Sequence, residues 1–191
     1  MTGKVVWHFT MSLDGFIAGP GHDMDWLEDV SFAPGVVDET AASTGAILAG
    51  RRWYDEFAGR PEAAPYGGRW SGPIFVLTHR PGDEVKDPSV RLIESRIADA
   101  VNTALAAAEN KDVVIFGADI GRQCLDRGLI DELRVHVAPV MLGDGVRAFD
   151  RPGGQRVHWV HADSEDPTRA VDLRLRPARL RSSGHATRSG R

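Results

Sequence analysis

The sequence has a single cysteine, Cys124, so it can form no internal disulfide and no thiolate cluster for zinc or an iron–sulfur centre. It also lacks long apolar runs, with nothing near the roughly 18 consecutive apolar residues of a membrane span. The opening strand-like stretch Lys4-Val5-Val6-Trp7-His8-Phe9 is not followed by the longer apolar core and small-residue cleavage site of a secretion signal. A cytoplasmic location with no membrane partner is therefore expected. Hydrolytic and metal-dependent signatures are missing too: there is no Gly-x-Ser-x-Gly elbow, no His-Glu-x-x-His, and no Gly-x-x-x-x-Gly-Lys phosphate loop. His158 and His161 are three apart in a strand-like segment and would point to opposite faces, so no metal site is expected.

Basic charge is scarce in the body of the chain. The net charge is −4, yet residues 177–191 hold Arg179, Arg181, Arg188 and Arg191 and no acid. The first 176 residues thus carry 19 basic against 27 acidic side chains, a balance of −8. A body this acidic repels a phosphate backbone, which argues against a nucleic-acid partner. The sequence predicts one domain over residues 1–176 and a basic, flexible tail over 177–191.

Compact apolar runs alternate with helical periodicity. Val5–Thr10, Ala46–Ala49, Ile74–Leu77, Val90–Ile93 and Val113–Phe116 read as strands. Weak helical spacing covers 36–43. Ile97, Val101, Leu105 and Ala108 repeat at helical spacing over 96–109, with Ser95 placed to cap, and a further helix spans 119–127 before Gly128. Strands that do not alternate, separated by helices, predict a three-layer αβα domain on a mostly parallel central sheet. Alternation in Val157–His161 and Val171–Leu175, around a polar turn, predicts an antiparallel C-terminal hairpin.

Two strand-to-helix junctions begin with glycine, at Gly50-Arg51-Arg52 and at Gly117-Ala118-Asp119-Ile120-Gly121. A helix start offers free N–H groups, and a glycine lets a phosphate approach. Arg51 and Arg52 add guanidinium groups suited to a phosphate dianion. Asp14, at the mouth of the first strand, is the candidate proton donor, on the expectation that an apolar setting raises its pKa. Ser12 beside it and Trp26 in the following loop are candidate substrate contacts. Cys124, on the core face of its helix, is expected to be an inert buried thiol.

Taken in order, Ser12-Leu13-Asp14-Gly15-Phe16-Ile17-Ala18, Asp25-Trp26-Leu27, Gly50-Arg51-Arg52, Val76–Pro81, Gly117-Ala118, Leu129–Leu133 and Pro139–Gly145 resemble the dihydrofolate reductase-like family. That family includes the reductase domain of the riboflavin-biosynthesis deaminase-reductase. The resemblance implies an NADPH-dependent homodimeric reductase that passes a hydride to a C=N or C=O bond of a small heterocyclic or sugar-like substrate. It puts the nicotinamide near Thr10, Ile17 and Ala18, and the 2′-phosphate near Arg51 and Arg52. The adenosine would lie near Thr78, His79 and Arg80, and the pyrophosphate near Gly117, Ala118, Asp119 and Ile120. Two residues depart from the family pattern: Trp53 replaces a common threonine, and Phe116 a glycine that often precedes Gly117. They give weight to the alternative, a non-catalytic small-molecule-binding or dimer-forming module on the same fold.

Overall fold

A computed structural model describes residues 3–57, 64–85, 87–154, 156–162, 170–171 and 173–175. The chain divides into two compact units, Met1–Pro152 and Gly153–Arg191.

The first unit is built on six parallel strands: β1 (Val5–Ser12), β3 (Thr44–Gly50), β4 (Ile74–Leu77), β5 (Val90–Ile93), β6 (Asp112–Phe116) and β7 (Glu132–Ala138), in the order β5-β4-β3-β6-β1-β7. A separate antiparallel pair joins β2 (Phe16–Ala18) to β8 (Val146–Arg147). The four helices are α1 (Val36–Ser43), α2 (Arg51–Phe57), α3 (Ile97–Ala107) and α4 (Ala118–Asp126). The inner strands lack alternation because both faces are covered. Ala46 and Leu48 of β3 join Val5, Trp7, Val113 and Ile115 beneath α3 and α4. Ile47 and Ala49 join Val76 and Val114 on the other face, against Trp53 and Tyr54 of α2.

Handedness explains which helix covers which face. From β1 to β3 and from β3 to β4 the chain steps toward the β5 edge; from β5 to β6 and from β6 to β7 it steps back. Right-handed crossovers in opposite directions place their helices on opposite faces. The helices that follow β3 and β6, neighbours in the sheet, therefore diverge and leave a crevice at the carboxyl ends of the strands.

Local details follow the residue types. Trp7 is fully buried against α4, where Gly121 leaves room for the indole. Gly128 takes a positive φ of 64° and stops α4, its N–H bonding back to Leu125. Burial pushes the Cys124 thiol up to about 12, in keeping with an inert core residue. Ser95 does not cap α3: the cap position is Arg96, and the Ser95 hydroxyl bonds the Arg96 carbonyl instead.

The predicted C-terminal hairpin is corrected. Residues 157–161, 171 and 173–175 carry no strand, and the turn over 163–169 and residue 172 lie outside the described residues. An alternating segment forms a strand only when its apolar face is covered, and an isolated pair is marginal. Here Val160, Val171, Leu173 and Leu175 are all exposed. The antiparallel element of the fold is instead the β2–β8 pair. The tail over 177–191 also lies outside the described residues.

Candidate active site

The crevice between the diverging helices opens into a cleft of about 750 Å³. Gly50, Arg51 and Arg52 enter it from the end of β3, and Leu77, Thr78, His79 and Arg80 from the end of β4. Asp119, Ile120, Gln123 and Arg127 line the α4 side. Gly50–Arg52, Thr78–Arg80 and Asp119–Ile120, far apart in the chain, are thus brought together, while Gly117 and Ala118 are not among the lining residues. The sequence reading missed Glu94, Ser95, Arg96, Ile97 and Ala98, which close the cleft from the end of β5 and the start of α3. Their signal was positional: β5 lies beside β4, so its carboxyl end borders the same crevice.

Five guanidinium groups face two carboxylates, Glu94 and Asp119, so the cleft favours anions. The arginines are not equivalent. Nε of Arg51 bonds the Asp55 carboxylate at 2.6 Å, and Nη1 lies 2.7 Å from Asp83, an ion pair not aligned as a hydrogen bond. Its charge is already shared by two acids. Arg80 also reaches Asp55, at 3.4 Å, and Arg96 pairs with Asp99. Arg52 is exposed and has no hydrogen-bond or ion-pair partner among the described residues. Asp119 is held by Arg122 at 2.6 Å and Gln123 at 2.8 Å, which damps its repulsion of an anion.

A dinucleotide fits this arrangement. Gly117, at the cap of α4, has a φ of 91°, and a Cβ placed there would meet no atom within 4 Å, so space is open beside the free N–H groups of the helix start. Ala118 opens the helix behind it. Trp53 and Phe116, the two departures from the family pattern, pack edge to face at 5.6 Å. Their contact fills the sheet face beneath α2.

Thr10, Ile17 and Ala18 do not line the cleft. Thr10 is half-buried near the end of β1, and Ile17 and Ala18 lie on β2. Trp26 sits half-buried in a 3-10 turn over Asp25–Leu27, its indole N–H buried without a hydrogen-bond partner among the described residues.

Asp14 and Ser12 are corrected. The Ser12 hydroxyl donates to the Asp14 carboxylate at 2.6 Å, and the Leu142 and Gly143 N–H groups donate to it at 3.1 and 2.7 Å. These bonds, the Ser12 hydroxyl foremost, hold Asp14 down at about 2. An acid ionised at every working pH has no proton to give. Ser12 is fully buried, and its oxygen also accepts the Phe16 N–H at 3.0 Å. Both residues tie the β1–β2 turn to the loop after β7.

Among the described residues no group of three or more His, Cys, Asp or Glu is placed to hold a metal ion, and no helix is long and apolar enough to cross a membrane.

Known proteins share this architecture. An uncharacterized protein of Bacillus subtilis, YwjB, is 26% identical over 151 residues, spanning 78% of this chain and 84% of its own. The crystal structure of a putative riboflavin biosynthesis protein from Shewanella sp. PV-4 superposes with a TM-score of 0.63 at 25% identity, over 80% of this chain and 86% of that one. A dihydrofolate reductase from Enterococcus faecalis, complexed with NADP(H), superposes with a TM-score of 0.55 at 17% identity, over 87% and 91%. The reductase-like fold expected from the sequence is thereby shared. The RibD C-terminal domain model matches residues 67–179, more than half of the chain, and the protein belongs to that family.

Proposed function

We propose that the protein is an NADPH-dependent reductase that transfers a hydride to a C=N or C=O bond of a small heterocyclic or sugar-like substrate. The observation that carries this reading is the convergence of Gly50–Arg52, Thr78–Arg80 and Asp119–Ile120 on one arginine-rich cleft at the switch point of a parallel sheet.

NADPH, when bound, supplies the hydride. The chain's own residues do the rest. Arg52, without an ion-pair partner among the described residues, takes the 2′-phosphate; Arg51, braced by Asp55 and Asp83, shapes the wall rather than reading the phosphate. Thr78, His79 and Arg80 flank the adenosine, and Gly117 to Ile120 give the pyrophosphate room and N–H donors. Thr10, Ile17 and Ala18 lie toward the nicotinamide end.

Equilibrium titration with NADPH and NADH tests this assignment. Arg52→Ala should weaken NADPH about tenfold, the worth of one charge-assisted hydrogen bond, and leave NADH unchanged. Arg51→Ala should weaken both nucleotides alike. Failure of NADPH to bind overturns the reductase reading, and equal loss of both nucleotides in Arg52→Ala overturns the phosphate role.

The Trp53–Phe116 contact favours one second reading, a small-molecule-binding module without turnover. It predicts binding of NADPH with no oxidation of the nucleotide by any carbonyl or imine compound. A homodimer is proposed for either reading, supported by the exposed apolar side chains Leu13, Val137, Met141 and Phe149. Sedimentation equilibrium distinguishes it from a monomer.

A further inference from the structure

On the sheet face that carries α2, ring contacts run unbroken from Trp53, next in sequence to the cleft residue Arg52, to the β7 edge. Trp53 meets Phe116 at 5.6 Å, Phe116 meets Tyr66 at 6.2 Å, and Tyr66 stacks on His8 at 6.0 Å. His8 then meets His136 at 5.0 Å, and His136 meets Phe32 at 5.2 Å. Within this row the two histidine Nε2 atoms are 2.9 Å apart.

That distance is too short for two ligands of one tetrahedral metal ion. Two nitrogens bound to one tetrahedral ion at about 2.0–2.1 Å would be roughly 3.3 Å apart. It is instead a hydrogen bond, and it requires opposite tautomers: one ring carries Nε2–H and the other Nδ1–H. One added proton leaves the bond intact; a second would set two N–H groups and two charges against each other. The pair is therefore a one-proton device.

Its position follows from the sheet. The carboxyl ends of β4, β3, β6 and β1 succeed one another over about 14 Å, so an extended ligand anchored at Thr78–Arg80 and passing Gly117 ends beside β1. In register, Trp7 pairs with Ile115, which sets His8 level with Phe116, and Thr10 pairs with His136.

We propose that His8 and His136, rather than Asp14, supply the proton at the substrate end of this site, with His136 facing the substrate and His8 holding it in place. The proposal rests on the reductase reading. As the substrate carbon accepts a hydride from the reduced nicotinamide, the π pair of the C=N or C=O bond moves to nitrogen or oxygen. The proton of the singly protonated pair bonds there, the pair returns to neutral, and the half-exposed His136 regains a proton from solvent.

Burial keeps both rings mainly neutral at neutral pH, so the singly protonated pair is a minor species that the half-exposed His136 replenishes from solvent. His8 is held near 4 by burial, then by His136 and Arg134, while burial also lowers His136. Arg134, two residues before His136 on β7, is the one charged side chain among the described residues that acts on the pair, and its charge is shared with Glu132 and Asp112. The Tyr66 ring covers His8, its buried hydroxyl near Thr44 but without a well-aligned partner among the described residues.

The test follows the ¹⁵N ring resonances of both histidines in the full chain, assigned with His8→Gln and His136→Gln, from about pH 8 to about pH 4. The protein is studied free and with saturating 2′,5′-ADP, NADPH or NADP⁺. Opposite tautomers and uptake of a single proton are expected below the ordinary histidine range. NADPH should move the His136 signals, whereas 2′,5′-ADP, which has no nicotinamide, should not. The cationic ring of NADP⁺ should lower the midpoint by about one pH unit relative to NADPH, a tenfold loss in proton affinity. If NADPH binds but leaves both rings as 2′,5′-ADP does, the proton role is overturned and the reductase reading stands. If NADPH does not bind, both are overturned. Identical tautomers, or two independent protonations, overturn the pair itself.

Discussion

Asp14 behaves as an anchor because three donors converge on its carboxylate. Its folded pKa, about 2, lies below the unfolded value of 3.8, so the stabilisation it supplies is complete above about pH 4 and is lost as pH falls through 2. Asp14→Asn should remove that part of the acid sensitivity. It should also speed amide exchange at Leu142 and Gly143, read by hydrogen exchange at neutral pH. Slow, unchanged exchange at those amides would show that the loop is held elsewhere. The Asp-Gly pair in the sequence marks a turn, but nothing in it reveals that Ser12 and the amides of Leu142 and Gly143 meet its carboxylate. Arg51 and Arg52 teach the same lesson: adjacent and chemically identical, they differ because only Arg51 meets Asp55 and Asp83.

At the scale of elements, α4 joins packing to the site, since its Asp119 and Ile120 line the cleft while Gly121 admits the Trp7 indole. A Cβ on Gly121 would lie 2.0 Å from Trp7 Cε2, inside any real contact distance. Gly121→Ala should therefore destabilise the fold by about 3 kcal/mol, the upper range for overpacking, despite the better helix propensity of alanine. Urea unfolding measures it; a more stable variant would mean that Trp7 has another rotamer available. The inner strands β1, β3, β4 and β6 are legible in the sequence because each holds a short, largely apolar run bounded by glycine, proline or a charged turn, whereas the edge strand β7 alternates. The segments over 157–161 and 171–175 are not legible, because alternation states only which face wants cover and leaves open whether a partner provides it.

For the whole molecule, burial of a neutral histidine has a consequence of known sign. His8 has a folded pKa near 4 against 6.5 in the unfolded chain, so the unfolded state binds the extra proton. Stability should be lost as pH falls from about 6.5 to about 4, by on the order of 2–3 kcal/mol, and stay level on this account below that. Asp14 then adds its own loss between about 4 and 2. Thermal melts of the wild type and His8→Phe across this range check the point: the variant should lose the upper step and keep the lower. An upper step that survives the substitution would assign it to another group. By itself the sequence determined the layered parallel sheet, the glycine junctions and the residue types able to bind an anion, since apolar periodicity and turn chemistry are local properties. Only the tertiary structure decided that Arg51 meets Asp55 and Asp83, that Asp14 is an anchor, and that His8 and His136 touch. Those outcomes depend on groups more than a hundred residues apart in two of the three cases, and burial and charge pairing between such residues exist only once the strands are in register.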